Sequence, residues 1–164
     1  GVGAFGDGME NLLERGLVSV MQDRAAANHP ILGICLGMQL LMEESDEFGT
    51  HQGLGVIRGS VTRFATQPNM KVPLVGWEPI VEPRWRTWTC SVLAKLETRT
   101  HMYFVHSYYA KPSDTKNVLA TTRFGGFEFC SVVNEGNTTG VQFHPERSGE
   151  DGIQVYRNFM FGID

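Results

Sequence analysis

The stretch ILGICLGMQLL, residues 31–41, holds one cysteine between two glycines. PILGIC, residues 30–35, reads as a short buried strand, and LGMQLLMEES, residues 36–45, as a helix. A strand, a tight turn and a helix in that order make half of a βαβ unit, which points to an α/β fold. The turn forces its central residue, Cys35, into a strained backbone conformation, and small residues on either side relieve the crowding. Gly33 and Gly37 supply them, so G-I-C-L-G has the spacing of the nucleophile elbow G-x-S-x-G with sulfur for oxygen.

An elbow of this kind lifts its side chain out of the sheet and sets it over a helix N-terminus. That end carries roughly half a positive charge and unpaired N–H groups. Both favour thiolate over thiol. The N–H of Leu36, next after the nucleophile, is placed to donate to an oxyanion. The plain alternative is a buried core cysteine, a common fate for this residue. A thiolate nucleophile also needs a base and a group that orients the base. VQFHPERS, residues 141–148, supplies both. His144 precedes Pro145 and is pushed to extended backbone, and Pro145 ends the strand because it cannot donate to a ladder. His144 and Glu146 then stand two apart on an extended segment, with side chains on the same side. The carboxylate can hold one imidazole nitrogen and leave the other facing a thiol.

The remainder of the 164-residue chain fits a single domain. It is 41% hydrophobic, enough for a sizeable core, and its net charge of −4 comes without long runs of one sign, so neither nucleic acid nor an anionic membrane is expected as partner. No apolar stretch is long enough to span a bilayer. Cys35, Cys90 and Cys130 lie far apart without disulfide or metal-ligand spacing, which favours a reducing cytoplasm and calls for no metal. At the start, GVGAFGDGMENL runs as a glycine-rich turn straight into a helix. Asp7 is the expected N-cap with Glu10 as capping-box partner, and Met9, Leu12, Leu13, Gly16, Leu17, Val20 and Met21 follow at helical spacing. Such turns normally follow a strand, so N-terminal strands are expected to be missing before Gly1.

Residues 45–58 read as a loop, and 89–96 as a short helix. Strands are expected in SVTRF (60–64), KVPLVGWEPIV (71–81), HMYFVHSYYA (101–110), NVLATTRF (117–124), FEFCSVVNE (127–135) and TTGVQFHPE (138–146). GEDGIQVYRNFMFG (149–162) reads as a closing helix with Ile153, Tyr156, Phe159 and Met160 on its apolar face. These strands make a mixed sheet in the second half of the chain.

GICLGMQ followed by GVQFHPE resembles the signature of class I glutamine amidotransferases, with a Cys-His-Glu triad of Cys35, His144 and Glu146. GVGAFGDGM, GICLGMQLL, YFVHSYY and GVQFHPERSGEDG together resemble one branch, the glutaminase subunits of imidazole glycerol phosphate synthase in histidine biosynthesis. The resemblance implies a flavodoxin-like fold with a mixed central sheet flanked by helices, and no cofactor. It implies hydrolysis of the side-chain amide of L-glutamine through a cysteine thioester. Ammonia would pass to a (β/α)8-barrel cyclase subunit of a heterodimer, which forms imidazole glycerol phosphate and an aminoimidazole carboxamide ribotide.

Carried over by position, Gly1, Val2 and Gly3 form the oxyanion strand with Leu36. Gln39, Glu47, His106, Ser107 and Tyr108 hold the substrate, and Trp77, Tyr103 and Arg147 face the cyclase. The bland readings are a solvated Gln39, a Glu47 that belongs to the acidic run EESDE, and core aromatics at Trp77 and in YFVHSYY. Alternation in that strand sets Tyr103, Val105, Ser107 and Tyr109 on one face and Phe104, His106 and Tyr108 on the other.

Two positions depart from the branch. It usually carries histidine after V-P and asparagine after G-W, where this chain has Leu74 and Glu78. Both are expected near the subunit interface, so they bear on which partner is met. The competing readings are a paralogous glutaminase that supplies a cyclase-like partner aminating a cell-surface sugar, a catalytically silent partner-binding subunit, and a hydrolase of free γ-glutamyl compounds.

Overall fold

The protein is described by a computed structural model over residues 3–65 and 70–162. In chain order its helices are α1 (Phe5–Glu14), α2 (Leu17–Ala26), α3 (Leu36–Leu40) and α4 (Gly149–Phe161). Its strands are β1 (Ile31–Ile34), β2 (Glu44–Ser45), β3 (His51–Gln52), β4 (Gly59–Arg63), β5 (Leu74–Pro79), β6 (His101–His106), β7 (Tyr108–Pro112), β8 (Val118–Phe124), β9 (Phe127–Glu135) and β10 (Thr138–Val141).

The sheet that positions the elbow runs β1-β10-β9-β8. β1 and β10 are parallel, with Ile34 opposite Val141, and the other pairs are antiparallel. The sheet is therefore mixed, and both of its faces are covered by helices. On one face Phe5 and Met9 of α1 and Met38 and Leu40 of α3 pack with Ile31 and Val133. On the other, Val155 of α4 packs with Val132, Val141 and Phe143 beside a cluster of Phe64, Phe104 and Phe129. Strict alternation along β9 would put Cys130 and Val133 on opposite faces, yet both belong to the α1/α3 side. The β8 register explains this: Ala120 pairs with Val132 and Thr121 with Cys130, so Ser131 is an extra residue that flips the parity. A second sheet runs β3-β2-β4-β7, and β5 pairs with β6 as a two-stranded ribbon.

Several local expectations are corrected. The first helix begins at Phe5, so Asp7 sits inside its first turn and caps nothing; the Phe5 N–H is met instead by the distant Glu47 carboxylate at 2.6 Å. The apolar repeat from Met9 to Met21 is split at Gly16, whose φ of 64° ends α1 and starts α2. Leu13, Leu17 and Val20 are left exposed. The helix expected over 36–45 stops at Leu40, and Glu44–Ser45 becomes a strand that pairs with β3 and β4. The loop expected over 45–58 thus begins on the last residue of β2 and contains β3. Residues 89–96 make successive turns, not a helix.

HMYFVHSYYA is two strands, because Ser107 interrupts it: β6 pairs with β5 and β7 with β4. The expected alternation of faces holds only as far as His106. In α4 the buried residues are Gly152, Val155 and Asn158, whereas Ile153 and Met160 face outward. Asn158 is drawn inward because its amide donates to the Val92 and Ala94 carbonyls at 3.0 and 2.7 Å, which lets a polar residue outcompete its apolar neighbours for the buried face. Leu74 is a core residue opposite His106, and Glu78 is half-buried on the same strand.

Candidate active site

Cys35 stands between β1 and α3 with φ 51° and ψ −106°, a conformation that a residue with a Cβ rarely adopts. The turn is held closed from below. Cys35 N–H donates to the Val141 carbonyl at 2.8 Å, continuing the β1–β10 pairing one residue beyond β1. Gly33 lies opposite Gly140 in that pairing, and the two glycines make a flat floor for α3. A Cβ on Gly33 would stand 2.7 Å from the backbone of Gly37, and one on Gly140 would stand 2.6 Å from Met38 Cγ.

Parallel pairing brings the ends of β1 and β10 to the same edge of the sheet, where α/β folds place their ligands. Cys35 follows β1 directly, and His144 comes three residues after Val141. His144 is buried, and its Nδ1 lies 2.6 Å from Glu146 Oε1. Burial pushes the Glu146 carboxyl up, but its hydrogen bonds to His144 and to its own backbone outweigh that and hold it below the ordinary carboxylate value. The ionised carboxylate only accepts, so Nδ1 carries the hydrogen of this contact and Nε2 is the nitrogen turned away from Glu146. That Nε2 is buried and has no hydrogen-bond partner among the described residues. The turn is stitched to β6: His144 N–H donates to the Tyr103 carbonyl at 2.8 Å, and Ser148 Oγ donates to the His144 carbonyl while accepting from Tyr103 N–H.

Cys35 opens into a cavity of about 600 Å³ that is also lined by Gly3, Leu36, Gln39, Glu47, His106, Ser107 and Tyr108. The residues assigned to substrate from the sequence therefore share one cavity with the cysteine. Gln39 is buried in the wall, not solvated, and Glu47 is both an α1 cap and a lining carboxylate. His106 is a buried neutral imidazole, its pKa pushed down to about 4 by burial, with Nδ1 bonded to the Tyr108 carbonyl at 2.8 Å. Gly1 and Val2 of the expected oxyanion strand lie outside the described residues. Burial pushes the Cys35 thiol up, against the thiolate that a helix end favours, while the Leu36 N–H and the Gln142 amide pull it down.

Trp77, Tyr103 and Arg147 meet on the surface. Trp77 is 52% exposed, its ring lies 6.0 Å from that of Tyr103, and the Arg147 guanidinium sits 4.0 Å above the Tyr103 ring. Two contacts were not assigned from the sequence. Gln142 approaches Cys35 Sγ at 3.7 Å, and the Tyr156 phenol, pushed up by burial and by the Glu146 charge, bonds that carboxylate. Gln142 stands inside the quoted GVQFHPE motif, so a signal for it was present; Tyr156 is one of several aromatics in the last helix and carried none.

The sequence profile of the family described as glutamine amidotransferase class-I matches residues 3–163. Imidazole glycerol phosphate synthase subunit HisH of Sulfurimonas denitrificans is 46% identical over 162 residues, covering 97% of this chain and 75% of the relative. The protein of the same name from Rhodopirellula baltica is 42% identical over 159 residues, again covering 97% and 75%. The chain thus spans about three quarters of the length of these relatives. Among solved structures, a glutamine amidotransferase superposes with a TM-score of 0.63 at 19% identity, covering 93% of this chain and 71% of the other. A chain in the structure of PurLQS from Thermotoga maritima gives 0.64 at 23% identity, covering 88% and 66%. At such identities these two show a shared fold.

Proposed function

The chain belongs to the class-I glutamine amidotransferase family, and from that premise we propose that it is the glutaminase subunit of an imidazole glycerol phosphate synthase. The observation that supports this chemistry is the parallel β1–β10 pairing: Cys35 follows β1 and His144 follows β10 at the same edge of the sheet, and His144 has Glu146 on Nδ1 and a buried Nε2 with no partner among the described residues.

In this reading L-glutamine enters the Cys35 cavity with its amino-acid end toward Gln39, Glu47 and the His106–Tyr108 segment. His144 Nε2 takes the thiol proton as sulfur attacks the carboxamide carbon. The oxyanion forms against the Leu36 N–H and the strand at Gly3. One such donor is worth about 3 kcal/mol, roughly a hundredfold in rate. The imidazolium then returns its proton to the leaving nitrogen, and ammonia departs. Water, deprotonated by the same Nε2, cleaves the γ-glutamyl thioester and releases glutamate. Glu146 stabilises the imidazolium throughout. A thiol at rest suits this sequence, because the nucleophile is generated only when substrate is in place.

The partner in this reading is a (β/α)8-barrel cyclase, bound as a heterodimer against the Trp77–Tyr103–Arg147 patch. Through the Tyr103 carbonyl that patch is one hydrogen bond from the His144 backbone. The test is glutamate release from the chain with and without a histidine-pathway cyclase. Cyclase should raise turnover, Trp77→Ala should blunt that rise, and Cys35→Ala should leave no more than a trace. Turnover retained in Cys35→Ala would overturn the nucleophile assignment, and indifference to the cyclase would favour a paralogous partner.

A further inference from the structure

Beneath the elbow lies a buried chain of side-chain amides whose directions can be deduced one from the next. Gln39 Nε2 lies 2.9 Å from the Tyr108 backbone carbonyl, which only accepts, so the amide nitrogen of Gln39 must face it. The same Nε2 lies 3.2 Å from Gln142 Oε1 and donates its second hydrogen there. That leaves the amide nitrogen of Gln142 on the far side, 3.7 Å from Cys35 Sγ. Gln142 is fully buried, and Gln39 nearly so, so no water competes for these groups.

We infer that Gln142 is a further functional residue of the proposed glutaminase: its amide holds the Cys35 sulfur in the elbow and donates to the anion that forms when the thiol proton leaves for His144. Gln39 is then a positioning residue as well as cavity wall, because it fixes the Gln142 amide with its N–H groups toward sulfur. The inference rests on Cys35 being the nucleophile. In the step concerned, the S–H bond breaks, the proton goes to His144 Nε2, and the negative charge stays on sulfur until the S–C bond to the carboxamide forms. A neutral donor at that position stabilises the anion without adding a charge that would compete with the imidazolium. Among the described residues, the titratable and charged groups that act on the thiol or line its cavity are Glu146 from the turn after β10, His106 from β6, and Glu47 and Arg63 across the cavity, with His144 as the proposed base. None of them is removed by a change at Gln142.

The test follows the alkylation of Cys35 by iodoacetamide as a function of pH in the full chain, read by peptide mass so that exposed Cys90 is counted separately. It needs no glutamine, so it can fail while glutamine hydrolysis stands. Gln142→Met keeps the length of the side chain and removes the donor. The midpoint of the alkylation profile should move up by about one unit, the size of one lost hydrogen bond to a charged acceptor, making alkylation roughly tenfold slower below the midpoint. Glutamate release should show the same alkaline displacement. A packing role alone would lower the rate equally at every pH. Gln39→Met, which frees the Gln142 amide to turn, should move the midpoint in the same direction by less, and it carries the test if Gln142→Met does not fold. An unmoved midpoint in a folded Gln142→Met chain, or in Gln39→Met where that variant stands in, overturns the inference.

Discussion

Gly33 and Gly37 look alike in G-I-C-L-G, and the structure separates them. A Cβ on Gly33 would lie 2.7 Å from both the carbonyl carbon and the oxygen of Gly37, and 2.9 Å from Met38 N. Ordinary contact begins at 3.4 Å, so α3 would have to lift by about 0.7 Å, and the obstacle is backbone that cannot rotate away. Overpacking of this kind costs about 1–3 kcal/mol. Among the described residues, a Cβ on Gly37 would meet nothing within 4 Å, and Gly37 is not among the glycines with positive φ. Alanine there should be neutral or stabilise by up to about 1 kcal/mol through the unfolded chain. Gly33→Ala should therefore be less stable than Gly37→Ala by about 1–4 kcal/mol. Urea unfolding followed by circular dichroism measures this, with the midpoint moving at constant slope. Lifting α3 also turns the Leu36 N–H relative to Cys35 Sγ, so alkylation of the cysteine should change in Gly33→Ala. If the two alanine variants proved equally stable, the close packing of α3 on β1 would be wrong.

Glu146→Gln should reduce glutamate release by less than Cys35→Ala does, because in the proposed mechanism the carboxylate orients and stabilises His144 but forms no bond to substrate; equal losses in steady-state kinetics would contradict that division of roles. His106 predicts a pH dependence of folding. Its native pKa of about 4 lies below the unfolded value of 6.5, so the unfolded chain binds the proton first. Stability should be level above pH 7 and fall by about 3 kcal/mol as pH drops from 6.5 to 4. His106→Phe, entering a site already lined by the rings of Phe64, Phe104 and Phe129, should flatten that slope in urea titrations at pH 7 and pH 4.5. A slope unchanged by the substitution would mean that other groups govern the acid limb.

The elbow and the orienting pair were legible in the sequence because each is a local arrangement. Gly33, Cys35 and Gly37 fall within five residues, so local backbone sterics dictate that turn. His144 and Glu146 do meet, but across a single 3-10 turn at Pro145–Arg147 and not on the extended segment expected from the sequence. The family resemblance reads the same short motifs. What the sequence could not decide are contacts between segments that no local period connects. Cys35 and Gln142 are 107 residues apart, and only the parallel register of β1 on β10 makes them neighbours. The break at Ser107 follows from two different strands claiming the two halves of one apolar run. Asn158 displaces its apolar neighbours from the core because two carbonyls from residues 92–94 await its amide. The protonation of Cys35 likewise depends on burial, which a motif cannot express: a helix end favours the anion, desolvation opposes it, and the depth of the cysteine in the folded chain decides the balance.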